Sequence, residues 1–61
     1  MNKVDSAELE VGMGVKTWFG THTIIDIEPY VGPFDFIIGI LVFSNGTKMS
    51  IEKDRTLDVL D

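Results

Sequence analysis

The sequence predicts an all-β fold, a small antiparallel barrel of five strands, and three observations favour it. Short segments rich in β-branched and aromatic residues recur along the chain, which is typical of strands. Glycine, proline and asparagine separate these segments at turn-like positions. A helical spacing over residues 6–10 is too short to sustain a helix. Since 61 residues allow one domain, we expect a loose polar arm at residues 1–8 followed by the barrel at residues 9–61.

The first two strands are predicted on either side of a turn at Phe19-Gly20. Over residues 9–18 the apolar positions alternate at period two, namely Leu9, Val11, Met13 and Val15. Residues 21–28 are dense in β-branched side chains and form the second strand. Alternation leaves Ile24 on the outer face of that strand. It places the following side chains on the core face: Thr23, Ile25 and Ile27.

Three further strands are predicted in the second half of the chain. Residues 29–33 contain two prolines and a glycine, so they form a loop. The Asn-Gly pair at residues 45–46, flanked by apolar segments, is the strongest short signal for a hairpin. A polar helical turn is expected at residues 53–56. These breakers delimit three strands, at residues 35–44, 47–52 and 57–60.

The Asn-Gly turn at residues 45–46 also predicts how its two strands pair. A two-residue type I′ turn needs positive φ at both central positions, which asparagine and glycine tolerate. Such a turn places Val42 opposite Met49 and Ile40 opposite Ile51. Because Met49 and Ile51 are the apolar alternation of their strand, their partners face the core as well. The core set of the hairpin is then Ile38, Ile40, Val42, Met49 and Ile51.

The opposite face of the third strand carries a second apolar set, namely Ile37, Leu41 and Phe43. Two interpretations of this face remain open. In the first, the strand bends at Gly39 and the terminal segments cover the face. In the second, the three side chains form an exposed apolar patch that binds a partner or a second copy of the chain.

Three segments resemble parts of a known family. The sequence LEVGMGVKTWFGTHTIIDI at residues 9–27 is similar to the opening of Tudor-like and KOW-like SH3-type barrels. The sequence LVFSNGTKMSI at residues 41–51 resembles the hairpin of those domains, and LDVL at residues 57–60 looks like their closing strand. The resemblance implies a five-stranded SH3-like barrel that docks on a larger machinery, such as one that processes nucleic acids, and has no catalytic activity.

The composition argues against several classes of function. Without cysteine and with His22 as the single histidine, the chain offers no disulfide and no thiolate or multi-histidine metal site. His22 is also the single imidazole available to activate a nucleophile, so we expect no enzyme and no cofactor. Ten acidic against five basic residues give a net charge of −5, which disfavours direct binding to nucleic acid. The longest apolar run, residues 36–43, is too short for a membrane span, and residues 1–6 contain no apolar run that could be a signal-peptide core, so we predict a cytoplasmic protein.

The leading functional hypothesis is a protein-interaction module, because tryptophan and tyrosine are over-represented at binding hot spots. Its candidate contact residues are the aromatic side chains of the predicted loops, namely Trp18, Phe19, Tyr30 and Phe34. The second apolar face of the third strand adds Ile37, Leu41 and Phe43 as candidates for docking or self-association.

Two alternative functions come from charge and from aromatic content. An acidic inhibitor, of the kind that phages and other mobile elements encode, would mimic nucleic-acid charge in a basic groove. A reader of methylated side chains would form an aromatic cage from Trp18, Tyr30 and Phe34, with Asp35 as the anion.

Overall fold

Six antiparallel strands form one sheet in the computed structural model, which describes residues 2–60. They are β1 (Asn2–Asp5), β2 (Gly14–Thr17), β3 (Gly20–Glu28), β4 (Ile37–Phe43), β5 (Lys48–Glu52) and β6 (Thr56–Leu60). A short 3₁₀ turn at Ser6–Glu8 follows β1. The strands lie in the order β1-β6-β2-β3-β4-β5, and neighbours pair antiparallel. The prediction of an all-β antiparallel fold is confirmed.

The sheet is open and does not close into the predicted five-stranded barrel. Within residues 2–60, β1 pairs with β6 alone and β5 pairs with β4 alone, so both are edge strands. The sixth strand comes from the N-terminal segment, which the sequence predicts to be a loose arm. Asn2–Asp5 instead lies along β6, and Val4 packs half-buried against the core. With one apolar side chain in four residues, this strand has no alternation to recognise, and Met1 of the predicted arm lies outside the described residues.

The register of the β4–β5 hairpin differs from the prediction by one residue. Its loop has three residues, because the Phe43 N–H donates to the Thr47 carbonyl at 2.9 Å and the Gly46 N–H donates to the Phe43 carbonyl at 2.9 Å. Gly46 has φ +88°, the left-handed conformation that closes a type I turn followed by a bulge. Leu41 therefore lies opposite Met49, where the two-residue turn predicts Val42.

The one-residue slip exchanges the two faces of β4, because side chains alternate along a strand. Leu41 and Phe43 are 0% exposed and belong to the core, whereas Ile38 is 43% exposed. The predicted core positions of Ile38, Ile40 and Val42 are wrong, and the latter two are half-buried on the outer face. The prediction that Leu41 and Phe43 point away from the core is wrong as well.

A single apolar cluster runs through the inside of the curved sheet. Terminal segments supply part of it, since Leu9 precedes β2 and Val59 lies in the last strand. This agrees with the first interpretation of the Leu41 and Phe43 face, in which the chain ends cover it. The buried members of the cluster are Leu9, Val15, Ile24, Leu41, Phe43, Ile51 and Val59.

A bulge at Ile25 changes the face that β3 turns to the core. Ile24 pairs with Phe43 and Asp26 pairs with Val42, so Ile25 is an extra residue on β3. Ile24 is fully buried and Ile25 is 53% exposed, the reverse of the prediction for these two. Beyond the bulge Ile27 packs against the core as predicted, whereas Thr23, before it, is exposed.

Turns shorten the first predicted strand and reshape the last connection. The Met13 N–H donates to the Glu10 carbonyl at 3.2 Å across a turn in which Gly12 has φ +101°. This turn leaves Val11 exposed and confines β2 to Gly14–Thr17. Between β5 and β6 a tight turn places Asp54 at φ +61°, where the sequence predicts one helical turn. The predicted closing strand is confirmed as β6.

Candidate functional site

The turn between β2 and β3 presents Trp18 to solvent with 89% of its surface exposed. The Thr17 hydroxyl organises this turn, because it donates to the Gly20 carbonyl and accepts the Phe19 N–H at 3.3 Å. Gly20 adopts φ +120°, which residues with a Cβ rarely reach. The indole packs edge-on against the Phe19 ring, with centroids 5.1 Å apart and an interplanar angle of 85°.

A chain of ring contacts ties this turn to the core. Phe19 stacks on His22 at 5.4 Å with an interplanar angle of 20°, and meets Phe43 edge-on at 5.6 Å. Phe43 is fully buried, so the contacts lead from an exposed indole to the interior. The Asn45 amide nitrogen lies 3.4 Å from Nε2 of His22 and links the β4–β5 loop to the same cluster. We call this group the aromatic tip: Trp18, Phe19, His22 and Phe43.

A second apolar surface lies at the other end of β3, in the loop at residues 29–36. Val31 is 93% exposed, and Phe34 is half exposed with its ring 5.5 Å from that of Phe36. The Tyr30 side chain is half-buried, and its hydroxyl lies over the backbone of Gly32.

Two backbone hydrogen bonds hold this loop against the end of the sheet. The Ile37 N–H donates to the Phe34 carbonyl at 3.2 Å, and the Lys53 N–H donates to the Phe36 carbonyl at 2.8 Å. Ile37 itself is half-buried at the start of β4. The predicted apolar face of Ile37, Leu41 and Phe43 is therefore not an exposed patch.

The structure separates the aromatic residues that the cage hypothesis combines. Trp18 precedes β3, whereas Tyr30, Phe34 and Asp35 follow it. The nine residues of β3 span about 26 Å at about 3.3 Å per residue. Within residues 2–60 no ring contact joins Trp18 to Tyr30 or Phe34, so the structure does not show the ring contacts of the cage hypothesis.

A groove of about 280 Å³ lies beside the free edge of β5. Arg55 stands at its rim and forms an ion pair with Glu52 at 3.2 Å. The sequence pattern does not indicate this groove, because its walls come from three consecutive strands, β4 to β6, whose placement in space no local spacing predicts. The residues that line it are Leu41, Met49, Ser50, Ile51, Glu52, Arg55 and Leu57.

Charged side chains on the described surface form exposed pairs and no metal site. Two more ion pairs of 3.2 Å join Lys3 to Asp58 and Lys48 to Glu28. Within residues 2–60, no group of three or more histidine or acidic side chains is placed to hold a metal ion. The same residues contain no helix of the length and apolarity that would cross a bilayer.

Comparison with known proteins adds no relative. No family model matches the sequence, and no curated protein or solved structure matches the chain.

Proposed function

We propose that this chain is a non-catalytic protein-interaction module that docks on a larger partner through the aromatic tip. The exposure of Trp18 carries the proposal, because a monomeric protein gains no stability from presenting an indole to water. Burying a tryptophan in a complex removes roughly 150–250 Å² of apolar surface from water. Trp18 belongs to the class of side chains most enriched among binding hot spots.

The base of the tip favours binding because it supports the turn that carries Trp18. The indole contacts the Phe19 ring edge-on, and Phe19 packs between His22 and the buried Phe43. A supported turn loses less conformational freedom on binding, which lowers the entropic cost of association.

The strand order supports the proposal that the domain is SH3-like. Five neighbouring strands, β6-β2-β3-β4-β5, follow the order of an SH3-like barrel, in which the last strand pairs beside the first. The bulge at Ile25 divides β3 between two halves of the sheet, as such barrels require of a shared strand. On this proposal β1 is an addition outside the common five.

The acidic-inhibitor alternative has the net charge of −5 in its favour. Three acidic side chains already form ion pairs with lysine or arginine side chains of the same chain: Glu28, Glu52 and Asp58. A negative partner for a basic groove needs its carboxylates concentrated on one face. The charge fits a basic protein partner for the aromatic tip equally well.

Quantitative capture of partners with Trp18→Ala tests the proposal. Val31→Ala is the matched control, because Val31 is as exposed as Trp18 and lies at the opposite end of β3. We expect a partner that the wild type and Val31→Ala retain from a lysate of the producing cells and that Trp18→Ala loses. Equal melting temperatures of the three proteins would show that the fold is kept.

Fluorescence then localises the contact, since Trp18 is the single tryptophan of the chain. Adding the purified partner should shift its emission to the blue as the indole leaves water. Identical partner sets for the wild type and Trp18→Ala, or an emission that the partner does not change, would refute docking through the tip.

A further inference from the structure

Within residues 2–60, the outer edge of β5 carries backbone hydrogen-bonding groups that no other strand uses. The Phe43 N–H bonds to the Thr47 carbonyl. From this pair onward, hydrogen-bonded and non-hydrogen-bonded residue pairs alternate along the antiparallel ladder. Met49 and Ile51 consequently bond to β4, opposite Leu41 and Gly39. The backbone groups of the intervening residues point away from β4, toward the open edge: Lys48, Ser50 and Glu52.

The sequence of β5 is complementary to itself when read antiparallel. The strand is Lys-Met-Ser-Ile-Glu, with Ser50 at its centre. A two-fold axis beside Ser50 places Lys48 of one copy opposite Glu52 of the other, and does so twice. The same axis places Met49 opposite Ile51 on the face that lines the groove. We propose that two copies of this chain pair β5 with β5 and form a symmetric dimer.

Apolar contacts would stabilise this pairing in addition to the backbone hydrogen bonds. Met49 and Ile51 line the groove together with Leu41 and Leu57. In the dimer, the partner's Ile51 and Met49 lie beside them as non-hydrogen-bonded pairs, the closer type, with Cα atoms about 4.5 Å apart. In the dimer Met49, which is half-buried in the single chain, gains an apolar neighbour, whereas Ile51 and Leu41 are buried already.

The charges at this edge are free to change partners. Lys48 is paired with Glu28 and Glu52 with Arg55, and in both pairs the side chains are between 40% and 69% exposed. Exposed ion pairs of this kind contribute little to stability, so their rearrangement costs little. Opposite charges across a strand pair select the register of the dimer.

The other edge strand offers a shorter match. In β1, the strand Asn-Lys-Val-Asp, an axis beside Val4 places Lys3 opposite Asp5, but three residues then pair in place of five. Ser50→Pro, described below, distinguishes the two edges, because it changes β5 alone. Pairing of β1 with the β5 of another copy would be head-to-tail and would give a ring or an open chain of copies. A dimer that stops at two chains therefore distinguishes β5–β5 pairing from this alternative.

Complementary charge variants provide the sharpest test. Lys48→Glu presents carboxylates at both ends of β5, and Glu52→Lys presents ammonium groups at both ends. Each variant alone should dissociate at least about tenfold more readily than the wild type, because like charges then face each other twice. An equimolar mixture should form a heterodimer, because each end then pairs opposite charges. Sedimentation and native mass spectrometry would measure the masses of these species. The wild type should appear at twice its chain mass of 6.8 kDa.

The backbone is tested by Ser50→Pro, with Ser50→Ala as its control. Proline removes the N–H that points to the open edge and keeps the bonds from β5 to β4, so the fold should persist and the dimer should not. Alanine keeps the N–H, so that variant should remain dimeric. The aromatic tip takes no part, and Trp18→Ala should dimerise like the wild type.

Three results would overturn the proposal. They are a wild-type protein that stays monomeric up to about millimolar concentration, a mixture of the two charge variants that forms no heterodimer, and a Ser50→Pro variant that is folded and still dimeric. Circular dichroism on each variant separates loss of association from loss of fold. None of these results bears on docking through Trp18.

Discussion

The comparison of Leu41→Ala with Ile38→Ala tests the register of the β4–β5 hairpin. The structure buries Leu41 completely in the core, whereas 43% of the surface of Ile38 is exposed. The two-residue turn predicts the reverse. Truncating each side chain in turn therefore measures which face of β4 is buried.

The expected magnitudes differ enough to decide. Removing a fully buried leucine side chain to alanine costs about 2–5 kcal/mol, including the cavity that remains. A domain of 61 residues has a free energy of unfolding of about 3–9 kcal/mol, at about 0.05–0.15 kcal/mol per residue. Leu41→Ala should remove a large share of this stability. Ile38→Ala should cost about 1 kcal/mol, mainly through lower strand propensity.

Urea unfolding followed by circular dichroism measures both values through the shift of the transition midpoint. If Leu41→Ala is already unfolded without urea, Leu41→Val preserves the comparison, because it removes less volume. A larger loss of stability for Ile38→Ala than for the Leu41 variant would refute the observed register.

Further predictions concern single substitutions at three positions. Gly39→Ala should be neutral or stabilise by up to about 1 kcal/mol, because a Cβ there would make ordinary contacts, 3.4 Å from the Glu28 carbonyl oxygen and 3.5 Å from Ile51, and alanine loses less backbone entropy on folding; a clearly lower melting temperature would contradict this. Gly46→Ala should cost about 1–2 kcal/mol and Gly46→Asn less, because φ is +88°; equal melting temperatures would contradict this. Ser6→Ala should be neutral or stabilise by up to about 1 kcal/mol in urea unfolding, because the buried Ser6 hydroxyl finds no partner within residues 2–60; a clear loss would contradict this.

Part of the candidate site follows from residue type and turn position. Trp18 lies in a predicted turn, and it is the most exposed of the predicted aromatic residues. Its supporting contacts do not follow, because they depend on Phe43, whose side chain the predicted register turns away from the core. One error in loop length thus hides both the core face of β4 and the base of the aromatic tip.

The groove beside β5 depends on how three consecutive strands are placed in space. Met49 and Leu57 line it from different strands, and no local spacing relates them. The same holds for β1, which lies beside β6 at the other end of the chain. Neither feature has a local signal that a reading of the sequence could use.

Local patterns were sufficient for the all-β class, for the positions of most turns and for strands β3 to β6, because backbone preference and turn chemistry act over a few residues. Which side of each strand is buried needed the three-dimensional fold. When both faces of a strand are apolar, as in residues 36–43, an alternation of period two does not indicate which face is buried. The three-residue loop at Gly46 and the bulge at Ile25 each add one residue, and each exchanges the faces of the strand residues that precede it. Packing around Phe43 and Leu41 determines which face of β4 is buried.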